Sequence, residues 1–265
     1  MPDYNGSYGS IYYMNFKRLF FLFLVGCMGF SCHKKQDGNP QPVTPSGSLT
    51  FQMKNLVGNT SFQFNAPYTN SSNDTFKVSS FQYLLSDFKL LTKDSNVVEI
   101  PNSYVYVDAS VGNTFALTQV PYGDYIGISY LIGVDSVTNT LGAPSGPLDP
   151  ITNMYWDWNG YIDLILTGTS PSSKGSGHIF DYHIGGFRYP YATQRIVSHS
   201  FGSTVLNVKE GANPQVFINI DLLEFFEHPI DLSIKDLSSV TVPGSNASTV
   251  ATNYQDMFQF NQIQN

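Results

Sequence analysis

The chain has 265 residues, of which 42% are apolar, 15% aromatic and only 12% charged, about half the usual charged share of roughly 25%. Few Lys and Glu beside 17 Tyr and 20 Phe disfavour a helical bundle or a coiled coil, because strands prefer β-branched and aromatic residues. The formal net charge is −7, which leaves no basic face for a phosphate backbone, so nucleic acid is not an expected partner.

The amino-terminal region reads as an export signal. Residues 1–13 look like an upstream extension, with Met14 as the true start. Lys17 and Arg18 precede an unbroken twelve-residue apolar run from Leu19 to Phe30, which is the pattern of a secretory signal. The run is too short for a mature membrane helix, which needs about 20 residues. Both cysteines, Cys27 and Cys32, lie at its end. A Cys after a small residue there resembles a bacterial lipobox. Leu24-Val25-Gly26-Cys27 fits the consensus better, but Cys32 leaves the fuller apolar run and is followed by a polar stretch, so Cys32 is taken as the lipidation site. Residues 1–32 are therefore read as extension and lipoprotein signal. Residues 33–48, rich in Pro, Gly, Ser and Gln, are read as a flexible tether, and residues 49–265 as one domain. The expected location is the outer membrane, anchored by lipid and facing the periplasm or the cell surface. Beyond Cys32 there is no cysteine, which removes disulfides, Cys-based zinc sites and a Cys nucleophile from the domain.

The domain reads as strands. Residues 49–54 and 61–65 alternate apolar and polar. Residues 76–91 form a long strand region. Short strands follow at 97–100, 104–107 and 114–117, separated by turn residues, and residues 125–134 read as a strand buried on both faces. Residues 135–160 show neither alternation nor helical period. A loop of that length inside a compact domain is usually functional or disordered, and the cluster Met154, Tyr155, Trp156 and Trp158 argues for order. Strands resume at 161–168, 178–186, 194–201, 204–208 and 215–221. Residues 222–226 suggest one helical turn, and residues 248–258 a short carboxy-terminal helix. The expected fold is all-β: one immunoglobulin-like β-sandwich with long loops.

Chemistry candidates are few. Alternation along 178–186 places His178 and His183 on opposite faces, with His183 beside Asp181 and ahead of Gly185-Gly186. His183 can be a strand-end imidazole bonded to a loop, or a metal ligand oriented by Asp181. Both tryptophans of the chain, Trp156 and Trp158, close the long loop and share a face if extended. Asp135, Asp149, Asp157 and Asp163 are scattered, without EF-hand spacing. No nucleophile elbow, P-loop, His-Glu-x-x-His or dinucleotide fingerprint occurs, so the chain is read as non-enzymatic, a secreted hydrolase being the weakest option.

Residues 81–90 (FQYLLSDFKL), 131–139 (LIGVDSVTN), 146–150 (GPLDP), 154–161 (MYWDWNGY) and 183–186 (HIGG) together resemble the MbnP-like family, in order and spacing, from about residue 49 to 260. The family is common among Bacteroidetes-type lipoproteins, in agreement with the leader. The resemblance implies copper binding in the periplasm or at the surface. In some members a di-haem cytochrome c peroxidase-like partner oxidises a tryptophan to kynurenine at the copper site. Carried over, Trp156 is the modified residue and His183 the ligand, with Trp158 and Asp181 lining the site. Two departures point to a weakened or lost site. Trp158 stands where a related Trp-x-His arrangement has histidine, and Gln262 and Gln264 stand where relatives end in histidines. The alternative function is a metal-free surface adhesion or glycan-binding sandwich.

Overall fold

The computed structural model describes residues 44–142 and 145–265. The signal segment, Cys27, Cys32 and the tether up to residue 43 lie outside the described residues. In chain order the strands are β1 (Ser46–Val57), β2 (Thr60–Ser61), β3 (Tyr68–Thr69), β4 (Thr75–Thr92), β5 (Val97–Glu99), β6 (Val105–Asp108), β7 (Thr114–Pro121), β8 (Gly123–Ile132), β9 (Tyr155–Trp156), β10 (Gly160–Thr169), β11 (Ile179–Gly185), β12 (Arg195–Ser200), β13 (Leu206–Val208), β14 (Gln215–Asp221), β15 (Ser239–Val240) and β16 (Phe258–Gln264). Two helices, α1 (Glu224–Glu227) and α2 (Ser245–Met257), precede the last strand.

The strands form the all-β sandwich expected. The smaller sheet has five strands in the order β16-β14-β1-β2, with β7 also on β1. The larger has eleven, built on the path β12-β8-β4-β10-β11-β15. Strand β4 is the hub of the larger sheet, pairing with β3, β5, β6, β8 and β10. Its 18 residues bend at Asp87, where φ is +53° and the register with β8 shifts. Bulges of this kind let a long strand coil around a core instead of running flat past it.

Strand alternation sends one face of each sheet inward. Leu49, Phe51 and Met53 of β1, Phe81 and Tyr83 of β4, Leu164 and Leu166 of β10, Phe180, Tyr182 and Ile184 of β11, and Val216, Ile218 and Ile220 of β14 share one core. Aromatic rings bridge the sheets. Phe51 of β1 meets Phe88 of β4 at 5.4 Å and Tyr83 of β4 meets Phe258 of β16 at 5.4 Å between centroids, while Phe88 stacks on Tyr130 at 5.3 Å within the larger sheet. The Tyr and Phe content thus fills the core, where each ring buries a large apolar area.

The structure corrects four expectations. Residues 62–65 are not a strand, since only Thr60–Ser61 pairs with β1 and Asn65 turns the chain with φ +61°. Phe62 and Phe64 still pack on the core, which is what produced the alternating pattern. Strand β8 is buried on one face and half-buried on the other. His178 belongs to a 3-10 turn (Ser176–His178) before β11, not to the strand. The chain ends in a strand, β16, antiparallel to β14, and the preceding helix spans Ser245–Met257. The alternation of residues 258–263 carries that strand signal.

His199 on β12 accepts or donates one bond, its Nε2 lying 3.1 Å from the Tyr130 hydroxyl. Burial pushes its imidazole down to about 4. The native state therefore binds fewer protons than the unfolded chain between about pH 6.5 and 4. Stability falls as pH drops through that window. We expect His199→Gln to remove about 2 kcal/mol of that acid loss, after discounting for partial exposure, read as a flatter urea-unfolding midpoint between pH 7 and 4.

Candidate functional site

The long segment between β8 and β10 folds back over the outer face of the larger sheet. It carries three 3-10 turns (Thr138–Thr140, Gly146–Leu148, Pro150–Thr152) and β9. Leu148, Met154 and Tyr161 join Leu84, Val134, Ile162 and Ile165 in a second apolar cluster, against which Trp156 packs. The segment's backbone groups are met by its own polar side chains. Buried Asn139 donates from Nδ2 to the carbonyls of Val134 (2.7 Å) and Asp135 (3.1 Å), and its Oδ1 accepts from the Tyr161 amide (2.8 Å). Gly160, at φ +81°, leaves the room for that Oδ1. Asp135 Oδ1 accepts from the amides of Val137 and Thr138, and its Oδ2 from the Tyr104 hydroxyl. Asp149 caps the third turn at the Ile151 amide. These carboxylates hold loop geometry.

Asp163 sits at the bulge of β10, between Ile162 and Leu164, and is fully buried. Its Oδ2 accepts from Thr193 Oγ1 at 2.6 Å, and Gly133 at φ +103° lies so close that any side chain there would strike the carboxyl. Burial raises its pKa to about 8, against the lowering effects of Thr193, Val134 and Arg195. The native state therefore keeps a proton that the unfolded chain loses near pH 4. The group's contribution to stability is full below about pH 4 and is lost as pH rises to about 8. We expect Asp163→Asn, which mimics the neutral acid, to stabilise the protein relative to wild type at pH 8 and not at pH 4, measured by urea unfolding at both values.

The tryptophans lie where this cover turns into β10. Trp156 is half-buried and Trp158 is 62% exposed. Their rings stack at 5.5 Å with an interplanar angle of 23°. A Cβ on Gly185 would stand 2.9 Å from Cζ3 of Trp156, so the indole occupies the space that glycine leaves. Gly185, His183 and Asp181 alternate along β11 on the face opposite the buried Phe180, Tyr182 and Ile184. His183 is therefore two residues from the tryptophan contact on the same face, about 7 Å along the strand. Its Nε2 lies 3.1 Å from Asp181 Oδ1, with both side chains about one third exposed. The structure thus brings Trp156, Trp158, His183 and Asp181 to one corner of the outer face.

The other histidines serve elsewhere. His178 Nδ1 lies 3.3 Å from the Ser173 carbonyl, and His228 Nδ1 lies 2.8 Å from Glu224. Gln262 and Gln264 are on β16, opposite Phe217 and Gln215 of the smaller sheet, and so not on the sheet that carries His183. Among the described residues no group of three His, Cys, Asp or Glu side chains converges. The encoded donors at the tryptophan corner are one imidazole and one carboxylate already bonded to each other. That set does not make a preformed copper centre, which uses several imidazole or thiolate ligands in defined geometry.

The MbnP family model matches residues 46–247, and the chain belongs to the MbnP family. The fold is similar to that of a solved structure, MbnP from Methylosinus trichosporium, at 17% identity and a TM-score of 0.50, covering 75% of this chain and 81% of that one. Comparison with curated protein sequences gives no significant match.

Gly185→Ala tests how the corner is built. The added methyl collides with the Trp156 ring and the Tyr161 carbonyl. We expect a loss of about 1–3 kcal/mol from overpacking, with a change in tryptophan emission as the stacked pair shifts. Unchanged emission and stability would show that the ring does not rest on Gly185.

Proposed function

We propose that this chain is an exported, lipid-anchored, non-enzymatic member of the MbnP family that associates with copper at the Trp156–His183 corner. In this reading Cys32 carries the lipid, the protein is held at the outer membrane, and a di-haem cytochrome c peroxidase-like partner uses peroxide to cleave the indole C2–C3 bond of Trp156, after which water releases C2 as formate and leaves kynurenine. The observation that carries the reading is the juxtaposition of a solvent-reachable tryptophan pair with His183 across Gly185. His183 supplies an imidazole, a donor that suits copper. Asp181 accepts its ring N–H and sets its tautomer and orientation, as outer carboxylates do for metal-bound histidines. Kynurenine would add an aryl amine and a carbonyl, which the encoded donor set lacks. Unoxidised protein should accordingly bind weakly, and the oxidised form more tightly.

Intact-mass spectrometry of the protein from its native host checks the modification, together with copper titration of the native and the recombinant chain. We expect a mass change of one oxygen gained and one carbon lost, absent in Trp156→Phe and retained in Trp158→Phe. His183→Ala should abolish copper binding by the native protein, and Asp181→Asn should weaken it about tenfold. An unmodified native protein that binds copper equally well without His183 would refute the assignment.

A further inference from the structure

The tryptophan corner is built around a buried carboxyl that the copper reading does not use. Asp163, Thr193 and Tyr254 are each 1% exposed or less. The carboxyl touches both supports of the corner. On one side the Val134 amide donates to it and Gly133 packs on it, where the chain leaves β8 for the roof that ends in Trp156. On the other side, Thr193 Oγ1 lies 2.6 Å from Asp163 Oδ2 and 2.9 Å from the carbonyl oxygen of Gly186. Gly186 directly follows Gly185, the glycine on which the Trp156 ring rests. Tyr254 of α2 fixes Thr193 by donating to its carbonyl oxygen.

A threonine hydroxyl carries one hydrogen, so Thr193 cannot donate along both lines at once. The protonation state of Asp163 decides which line it uses. A charged carboxylate can only accept, and takes the hydroxyl hydrogen. Gly186 then keeps the Thr193 amide alone, at 2.8 Å. A neutral carboxyl has a hydrogen of its own and can give it to Thr193 Oγ1. That frees the hydroxyl to donate to the Gly186 carbonyl, and both short contacts become bonds of one continuous chain, whose members strengthen one another. The element with two states is therefore a single buried hydroxyl, biased by one proton. The charged and titratable groups around Asp163 leave this choice open. Arg195 of β12 donates to the carbonyls of Ala192, Gln194 and Ser248 rather than to the carboxyl. Burial keeps the Tyr254 phenol protonated. Gly133, Val134 and Thr193 do not titrate. Burial of the carboxyl puts its change of state at about pH 8.

We propose that the proton on Asp163 is a switch that seats the Trp156–Trp158 pair: while it is bound, Thr193 braces Gly186 and holds the Gly185 seat, and when it leaves, the brace is withdrawn and the pair loosens. The inference needs neither copper nor an oxidised Trp156. Both tryptophans of the chain belong to this pair, so the emission of the unmodified full chain reports it directly. The test is emission recorded between about pH 6 and 9, below the ordinary ionisation of tyrosine near 10. We expect one red-shifting step with its midpoint at about pH 8, while the strand signal in circular dichroism stays constant. Asp163→Asn, which carries its hydrogens at every pH, should hold the emission at its low-pH position. Thr193→Val should also flatten the step, although its stability in urea still falls with rising pH because Asp163 still titrates. Thr193→Ser should restore the step. If the variants do not fold, carboxyl carbon and indole N–H resonances of the wild-type chain should titrate with one shared midpoint. A flat wild-type emission would overturn the proposal, as would a step that survives Asp163→Asn or Thr193→Val, a step that coincides with loss of strand signal, or carboxyl and indole midpoints that differ.

Discussion

Strand β10 has no face left for water. From Gly160 to Leu166 every residue is buried, with Leu164 and Leu166 against the main core and Ile162 and Ile165 against the second cluster. A sandwich sheet can normally leave its outer face solvated. Here Leu84, Ile162 and Ile165 make that impossible, and the segment between β8 and β10 must act as a roof. A buried segment without regular pairing must satisfy its backbone by other means. Asn139, Asp135 and Asp149 do so, and Gly133 and Gly160 open the space for the side chains that lock it. The neutral carboxyl of Asp163 follows from the same constraint, because the bulge that carries β10 under the roof turns it inward. The tryptophan corner is then where the roof ends. Trp156 closes the apolar layer and Trp158 stacks on it from the solvent side.

Much of this was legible in the sequence because alternation reports burial directly. Strands β4, β10 and β14 stand within a residue or so of the segments read from period alone. The same signal misled at residues 62–65, where two phenylalanines two apart pack inward from a turn. It also hid His178, since a left-handed residue at a strand entrance leaves no mark in hydropathy. Strand β16 escaped because helix α2 runs straight into it, with Met257 buried at the end of one element and Phe258 at the start of the next. The juxtaposition of Trp156 with His183 rests on Gly185. Its position before a strand end was readable, but which ring fills the gap depends on the fold of the roof. The roles of Asp135, Asp149 and Asp163 were not readable at all, since a carboxylate that accepts backbone amides and one that binds a metal look alike in a sequence.

The residues that carry the family resemblance divide accordingly. Asp135 and Asn139 of the GVD segment and Asp149 of the LDP segment are bonded within the roof. Gly185 admits the indole, while Gly186 faces Pro243. Asp135, Asn139 and Asp149 hold the roof in place by their own hydrogen bonds. His183 belongs to the resembling HIGG segment as well, and its ring lies 3.1 Å from Asp181 Oδ1.

Gln262 and Gln264 bear on both faces of the molecule. Their positions are fixed by the register of β16 on β14, where they stand opposite Phe217 and Gln215. Side chains at these positions project on the smaller sheet. Histidines there would stand among the amides, not beside Trp156. The two glutamines therefore stand apart from the donors at the tryptophan corner. They leave the edge strand β16 without a charged side chain. An edge strand with exposed backbone groups normally needs charges to stay unpaired, and this one carries none over Phe258–Gln264.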